Sequence, residues 1–162
     1  MIKFDPLKQL AKYTRDLLAV PECEISLGRI NKYDNQSENL IVVDNLSPAK
    51  SRYSTKDFDS DKELMKVTTC FVGLFTLDFY GPDSLQRANI FTALNNTEES
   101  RTLQKNHELR IFKVGSINNL KRLAGSTYDD RYQIELNIEY NLVHEVDRLR
   151  FDTAQFNFLF NE

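Results

Sequence analysis

Apolar positions recur with helical spacing over the first twenty residues. One face holds the positions three or four residues apart, namely Leu7, Leu10, Ala11, Thr14, Leu17 and Leu18. Asp5 precedes Pro6, an order that is typical of an N-cap followed by the first helical residue. Pro21 lacks a backbone donor and cannot continue a helix. The pattern therefore predicts an amphipathic helix from Pro6 that ends before Pro21.

The central third of the chain predicts extended structure around a polar stretch. Leu40 to Val43 is a short apolar run and predicts a strand. Residues 47–63 are polar and charged, with Tyr53 and Phe58 as the only large apolar side chains before Leu64. We expect an extended loop or hairpin there. Because a long loop inside a domain is usually functional or mobile, this stretch is expected to order when a partner binds.

A long strand is predicted from Leu64 to Tyr80. Its odd positions form one apolar stripe, which is the period of a strand. From Cys70 to Leu74 the even positions are apolar as well. This change indicates that one end of the strand is half exposed and the other is covered on both faces.

Two helices are predicted after this strand. Residues 81–83 read Gly-Pro-Asp, which allows a turn and presets the first helical residue. The first helix should end near Leu94, with an apolar face made by Leu85, Ala88, Ile90, Phe91, Thr92 and Leu94. Thr97 can cap a second helix that ends near Lys105, because acidic residues follow it in the first turn.

The last third of the chain predicts strands and a turn. Arg110 to Val114 is a short strand, 117–123 is either a helical turn or a strand, and 125–130 is a turn. Strict alternation then begins. The apolar members are Tyr132, Ile134, Leu136, Ile138, Tyr140 and Leu142. The polar members are Arg131, Gln133, Glu135, Asn137, Glu139 and Asn141. This predicts a strand about 40 Å long, whose polar face is either an ordinary solvent face or an assembly contact.

Phenylalanine is concentrated at the C-terminus. Phe156, Phe158 and Phe160 recur with period two and predict a strand or arm within 151–162. Each ring would forgo about 1.5–3 kcal/mol if it stayed in water. The three rings must therefore pack on this chain's own core or contact a partner by adding a strand to its sheet.

Composition narrows the function classes. The chain has 162 residues, which suits one domain, and apolar residues make up 41% of it. Its formal charge of −3 and scattered lysines and arginines disfavour a dedicated nucleic-acid binder. The segment 1–20 lacks the apolar core of a signal peptide, and no apolar run approaches the length of about 18 residues needed to span a membrane. We expect a cytosol-made protein with reduced thiols.

Candidate chemistry is sparse. His107 and His144 have no second histidine or cysteine at metal-ligand spacing. Cys70 lies in an apolar strand, and Cys23 stands between two glutamates, which disfavours a reactive thiolate. The alternating carboxylates Asp57, Asp59 and Asp61 could hold a cation, but the positions of an EF-hand glycine and glutamate are occupied by Lys62 and Thr68. No catalytic site, metal or cofactor is therefore expected.

The stretch 75–83, Phe-Thr-Leu-Asp-Phe-Tyr-Gly-Pro-Asp, resembles the tail terminator or neck terminator proteins of tailed bacteriophages. In that group a long strand ends in an aspartate–aromatic–Tyr-Gly turn, and a helix follows, here 85–94. A polar turn, here 127–132, then leads into a long alternating strand. The resemblance covers about Leu64 to Leu142 closely and the remainder loosely.

The resemblance implies an α+β fold, with a mostly antiparallel sheet packed by the N-terminal helix and a central helix pair. It implies a structural virion protein of the tail or neck, made in the host bacterial cytoplasm. Six copies would form a ring that caps the tail tube, ends its growth and meets the head-side connector. DNA would pass through the lumen, which the polar strand face with Glu135 and Glu139 would border unless it forms a subunit interface.

Two further functions remain as alternatives. A monomeric binding module could use a curved sheet face for a small molecule or peptide. A small enzyme could be built from carboxylates, although no motif in the sequence supports it. The particle size of the purified protein distinguishes the first two possibilities, because a ring and a strict monomer differ in mass.

Overall fold

A five-stranded sheet carries the helices of this protein. The structure is a computed structural model, and it describes residues 4–28, 39–60, 64–120, 122–124 and 127–147. Within these ranges the helices are α1 (Pro6–Leu18), α2 (Ser84–Leu94) and α3 (Glu98–Asn106), with a 3-10 turn at Glu22–Glu24. The strands are β1 (Ile25–Leu27), β2 (Leu40–Asp59), β3 (Leu64–Tyr80), β4 (Leu109–Asn119), β5 (Arg122–Ala124), β6 (Thr127–Asp129) and β7 (Arg131–Asp147).

The sheet is mostly antiparallel. Its strand order is β1-β2-β3-β7-β4, and β5 pairs with β6 as a separate ladder. β1 runs parallel to β2, whereas β2, β3, β7 and β4 are antiparallel to their neighbours. The predicted α+β class with a mostly antiparallel sheet is therefore confirmed, and β7, the strand with the strictest alternation in the sequence, occupies an interior position.

The N-terminal helix has the predicted N-cap and ends before Pro21 as predicted. The Asp5 carboxylate accepts hydrogen bonds from the backbone N–H groups of Leu7 and Lys8, at 3.1 and 3.4 Å. At the other end Ala19 adopts a left-handed backbone with φ 50°, and its N–H bonds to the Arg15 carbonyl. Tyr13 is fully buried although the apolar pattern did not include it. The Tyr13 side chain can be buried because its hydroxyl contacts polar side chains between α2 and α3.

The second helix buries a narrower face than the sequence predicted. Ser84, Ala88 and Phe91 are its buried residues, spaced four and three apart. Leu85 and Ile90, which were assigned to the apolar face, are 44% and 42% exposed. The prediction was wrong for these two side chains because one helix stripe suffices to contact the sheet. Thr97 caps α3 as predicted, and its hydroxyl accepts from the Ser100 N–H at 3.2 Å.

The core lies between the helices and one face of the sheet. Directly opposed residues of β3 and β7 share this face, for example Phe75 with Leu136 and Leu77 with Ile134. All four are fully buried. Phe79 and Phe91 pack with ring centroids 6.3 Å apart, which joins β3 to α2. This close packing fixes the register of β7, since a slip by one residue would turn its polar side chains into the core.

Three ambiguous stretches take a definite form. Residues 47–59 are strand, because β2 continues to Asp59 and pairs with β3 to its end. Residues 117–119 belong to β4, and 122–124 form β5. The predicted turn at 125–130 was wrong in part, because Thr127–Asp129 is β6 and pairs with β5. A local ladder satisfies backbone groups that a turn would leave to solvent.

Candidate assembly surfaces

The five predicted site residues of β7 lie together on the sheet face opposite the core helices. Their neighbours on both sides are the strands β3 and β4. All five are half-buried, and they are Arg131, Gln133, Glu135, Asn137 and Glu139. The sequence predicted the shared face correctly, because side chains of a strand alternate. It could not show what each side chain contacts.

Two of these residues hold a buried carboxylate. Asp78 of β3 is 5% exposed. Arg131 Nε and a terminal nitrogen lie 3.3 and 3.2 Å from its two oxygens, and Gln133 Nε2 donates to it at 3.0 Å. The Arg131 guanidinium also lies over the Tyr80 ring, 5.3 Å from the centroid. Although burial lowers the pKa of Arg131, the hydrogen bond and charge of Asp78 outweigh it and raise the pKa. This end of the polar face is therefore an internal network.

The other end of the polar face makes a different contact. Glu139 Oε2 lies 3.1 Å from a terminal nitrogen of Arg52, and the two side chains meet across β3. Between the two ends, Glu135 and Asn137 form no hydrogen bond or ion pair with a side chain in the described ranges. β4 approaches closely at Gly115, where an added Cβ would lie 3.0 Å from the Glu135 carbonyl oxygen. The centre of the polar face is thus its most available part.

The sheet continues beyond the helices as a three-stranded extension, which we call the distal sheet. It consists of Ser54–Asp59 of β2, Leu64–Thr69 of β3 and Leu142–Asp147 of β7. Its β2 segment is exposed throughout. One of its faces continues the core face of the sheet and carries Phe58, Met65, Val67, Leu142 and Val146. Phe58 and Val146 are exposed, the other three side chains are half-buried, and Lys56 and His144 share this face. The face is a candidate contact surface.

A groove runs between the helices and β4, and we call it the β4 groove. It is open, has a volume of about 900 Å³, and is lined by residues 92–105 of the helix pair and 109–114 of the strand. Gln104 holds the two walls together, because its amide nitrogen donates to Ser100 Oγ at 3.1 Å and its oxygen accepts from the Ile111 N–H at 2.9 Å. The groove is therefore a fixed feature of the fold.

The β4 groove is basic. Arg101, Lys105, Arg110 and Lys113 line it, against the single carboxylate of Glu98. Arg101 pairs with Glu98 at 3.3 Å. Lys105, Arg110 and Lys113 form no ion pair within the part of the chain that the structure describes. In the sequence these cations looked scattered, because their clustering depends on the packing of α3 against β4.

The structure shows the contacts and exposure of the two histidines and two cysteines that the sequence raised as candidates. His107 Nε2 lies 2.9 Å from Asp16 and Nδ1 lies 3.4 Å from Gln9, so the ring links α3 to α1. His144 is exposed on the distal sheet. Both cysteines are free thiols, Cys23 exposed and Cys70 buried.

Metal ligation finds no support in the described ranges. No group of three or more His, Cys, Asp or Glu side chains converges there on a possible ion site. Asp57 and Asp59 lie on the same face of β2, whereas Asp61 falls outside the described residues. The C-terminal rings Phe156, Phe158 and Phe160 also fall outside them, so the proposed partner-contact arm stays a sequence prediction.

Sequence reasoning missed two residues that shape these surfaces. In the sequence Asp78 was considered only as part of the motif at 75–83. A lone carboxylate inside an apolar strand is itself a signal of a buried polar partner. Arg52 carried no comparable signal, because it stands in a generally polar stretch. Its contact with Glu139 depends on the long pairing of β2 with β3.

Comparison with known proteins places this chain in a class of phage structural proteins. A family model described as phage neck terminator protein matches residues 8–162. This chain belongs to the phage neck terminator family. A search of curated proteins found no match. Within the described ranges, none of the helices combines the length and the apolar character required to cross a membrane.

Proposed function

We propose that six copies of this chain form a ring that caps the phage tail tube, ends tube growth and offers a docking surface to the head-side connector. The observation that carries the proposal is membership of the neck terminator family over residues 8–162. Its partners are then other copies of itself, the tail tube protein and a head-completion or connector protein. The chain is made in the host bacterial cytoplasm and resides in the virion neck.

The sheet supports assembly into a ring. β1 pairs with β2 only at Ile41–Val43, so the edge of β2 beyond Asp44 has no strand partner within the described ranges. On the opposite side, β4 is the terminal strand of the sheet among the described residues. Unpaired edges are ready to bond another chain. A contact between two different surfaces repeats from copy to copy, and it closes into a ring when the rotation allows.

The proposed lumen passes DNA without binding its sequence. The formal charge of −3 suits this role, because neutralising phosphates with a basic lining would hold the DNA. We propose that the polar face of β7 borders the lumen or a subunit interface, centred on Glu135 and Asn137. We propose no catalytic reaction and no cofactor for this chain. The C-terminal phenylalanines are proposed as a further partner contact.

The first experiment measures size. Light scattering and negative-stain images of the purified protein, alone and mixed with tail tubes, should show a six-fold ring or a tube-end cap. Tubes that keep growing in the presence of the protein would contradict termination. A strict monomer that ignores tubes and binds a small ligand would favour the alternative binding module.

The second experiment tests the polar face. Reversing Glu135 and Glu139 to Lys should leave the fold intact and impair ring assembly or DNA passage. Because Glu139 pairs with Arg52, the matched control exchanges that pair by Arg52→Glu with Glu139→Lys, which retains the ion pair and leaves Glu135 unchanged. Wild-type assembly and infectivity in the Glu135→Lys, Glu139→Lys variant would reject this role of the face.

A further inference from the structure

The tip of the distal sheet combines an exposed ring with negative charge. Phe58 is 43% exposed and stands between Asp57 and Asp59 near the end of β2. The described distal sheet contains four acidic residues, Asp57, Asp59, Glu145 and Asp147, against two lysines, Lys56 and Lys66. Asp57 forms no hydrogen bond or ion pair within the described ranges. The tip therefore has the chemistry of an acidic strand edge with one apolar anchor.

The β4 groove has the opposite character. Lys105, Arg110 and Lys113 are cations without an ion-pair partner among the described residues. Phe112 lies between two of them and is 48% exposed. The groove thus offers an apolar contact beside positive charge, which complements a strand that carries an aromatic ring on one face and carboxylates on the other. Electrostatic complementarity of this kind selects partners and sets their orientation.

The geometry of the sheet prevents a tip from reaching the groove of its own chain. Phe58 pairs with Met65 of β3. Six residues further along β3 is Phe71, which pairs with Tyr140 of β7, and Tyr140 in turn pairs with Leu109 at the groove. Six residues of strand span roughly 20 Å. β2 and β4 are also three strand positions apart, which adds roughly 14 Å across the sheet. A tip that enters the groove would therefore belong to another copy.

Backbone pairing favours the same contact. The six residues Ser54–Asp59 pair with β3 without a bulge, whereas the preceding part of β2 has register shifts and contains Pro48. Bulges and proline discourage strand addition, and a regular exposed edge permits it. An edge strand in a groove presents alternate side chains to both walls, so Phe58 and Asp57 can each meet a wall.

We propose that the distal-sheet tip of one copy docks in the β4 groove of the next copy, with Phe58 covering Phe112 on the β4 wall and Asp57 facing Lys105 on the helix wall. This inference rests on the proposed ring, and it names the contact between neighbours. The two surfaces are different, so each copy uses its tip on one side and its groove on the other. Repetition of such a contact gives a closed ring, rather than an isolated pair, when the rotation between copies closes.

Charge reversal tests the contact. Asp57→Lys and Lys105→Glu should each reduce the ring or tail-bound fraction at least tenfold. The two changes combined in one chain should restore most of it, because the pairing is re-established with opposite sign. Lys12→Glu, on an exposed position of α1, is the matched control and should assemble normally. Normal assembly of both single variants would overturn the proposal.

Photo-crosslinking provides a readout that does not depend on a loss of assembly. Benzoylphenylalanine in place of Phe58, in rings or tail-bound protein, should crosslink to the peptide 101–114 of a second copy. The same probe in place of Tyr53, which lies on the other face of β2, should give at least fivefold less of that product. Crosslinks to another peptide or another protein in intact rings would overturn this contact while leaving the ring itself in place. A wild-type chain that never self-associates, alone or on tails, would overturn both.

Discussion

Two nitrogens of the Arg131 guanidinium on β7 lie 3.3 and 3.2 Å from the two oxygens of the Asp78 carboxylate on β3. This pair converts one end of a polar strand face into an internal structural contact. It also separates the five polar residues of that face into a structural part and an available part. Asp78, Arg131 and Gln133 support the sheet, whereas Glu135 and Asn137 form no hydrogen bond or ion pair with another side chain among the residues that the structure describes.

Replacing Asp78 with Asn tests the structural part. The change keeps the shape of the side chain and removes its charge, so Arg131 loses its counter-ion at a site where the carboxylate is 5% exposed. We expect the free energy of unfolding to fall by about 1.5–3 kcal/mol, measured by urea denaturation. The same change at exposed Asp57 is the control and should shift stability by less than about 0.5 kcal/mol. Equal effects at the two positions would contradict this assignment.

Tyr13→Phe tests the polar link between the helices. The Tyr13 hydroxyl donates to Asn95 Oδ1 at 2.8 Å and lies 2.8 Å from Ser100 Oγ in a buried site. Burial raises the pKa of Tyr13, an effect that its hydrogen bonds with Ser100 and Gln104 reduce. Losing the hydroxyl leaves the buried Asn95 oxygen without its donor and should cost about 1–2 kcal/mol of stability. Half-buried Tyr132 is the control for the loss of a hydroxyl, and a thermal or urea melt of Tyr132→Phe should match wild type closely.

The contact between Asp16 and His107 predicts a pH dependence. Partial burial raises the pKa of Asp16, but hydrogen bonds and charge from Arg15 and His107 outweigh it, and the pKa lies below its ordinary value. A carboxyl group whose pKa is lower in the folded than in the unfolded state stabilises the protein at pH values above its unfolded-state pKa, near 3.9. This stabilisation is lost as the pH falls through the folded-state pKa. Asp16→Asn should therefore destabilise at pH 7 by about 0.5–1 kcal/mol, allowing for solvent screening.

Urea melts of Asp16→Asn and wild type at a series of pH values check this sign. The difference between the two proteins should shrink as the pH falls below about 4 and should vanish at the acid end of the series. Glu99→Gln, an exposed change in the first turn of α3, is the control for loss of a carboxylate. A difference that grows toward low pH would contradict the predicted direction.

Gly115→Ala tests the close approach of β4 to the polar face. The added Cβ would lie 3.0 Å from the Glu135 carbonyl oxygen and 3.3 Å from its Cβ, and backbone in the middle of a sheet cannot move away freely. We expect a loss of about 1–3 kcal/mol in unfolding free energy. Gly73→Ala is the comparison, because its closest contact at 2.7 Å is the Phe75 ring, a side chain that can adjust. A larger loss at Gly73 than at Gly115 would show that ring packing is the stricter constraint.

Strand and helix identities followed from local patterns wherever one face of an element is strictly apolar. α1, β3 and β7 were predicted because their periodicity continues over many residues and their caps or turns carry specific signals. β2 beyond Val43 was not, since its side chains are polar and its order comes from pairing with β3. The exposed positions of Leu85 and Ile90 escaped prediction for a related reason, because apolar residues on a helix need not all be covered.

The sequence by itself determined the α+β class, the shared polar face of β7 and the resemblance to the neck terminator family. Those features depend on side-chain alternation, helix capping and a short motif, all of which are local along the chain. Only the tertiary structure decided that Asp78 neutralises Arg131, that Arg52 meets Glu139, and that Lys105, Arg110 and Lys113 line one groove. The first two contacts join residues distant in the chain, and the groove requires α3 to pack on β4. Strand order and helix packing, which no local pattern encodes, produce both.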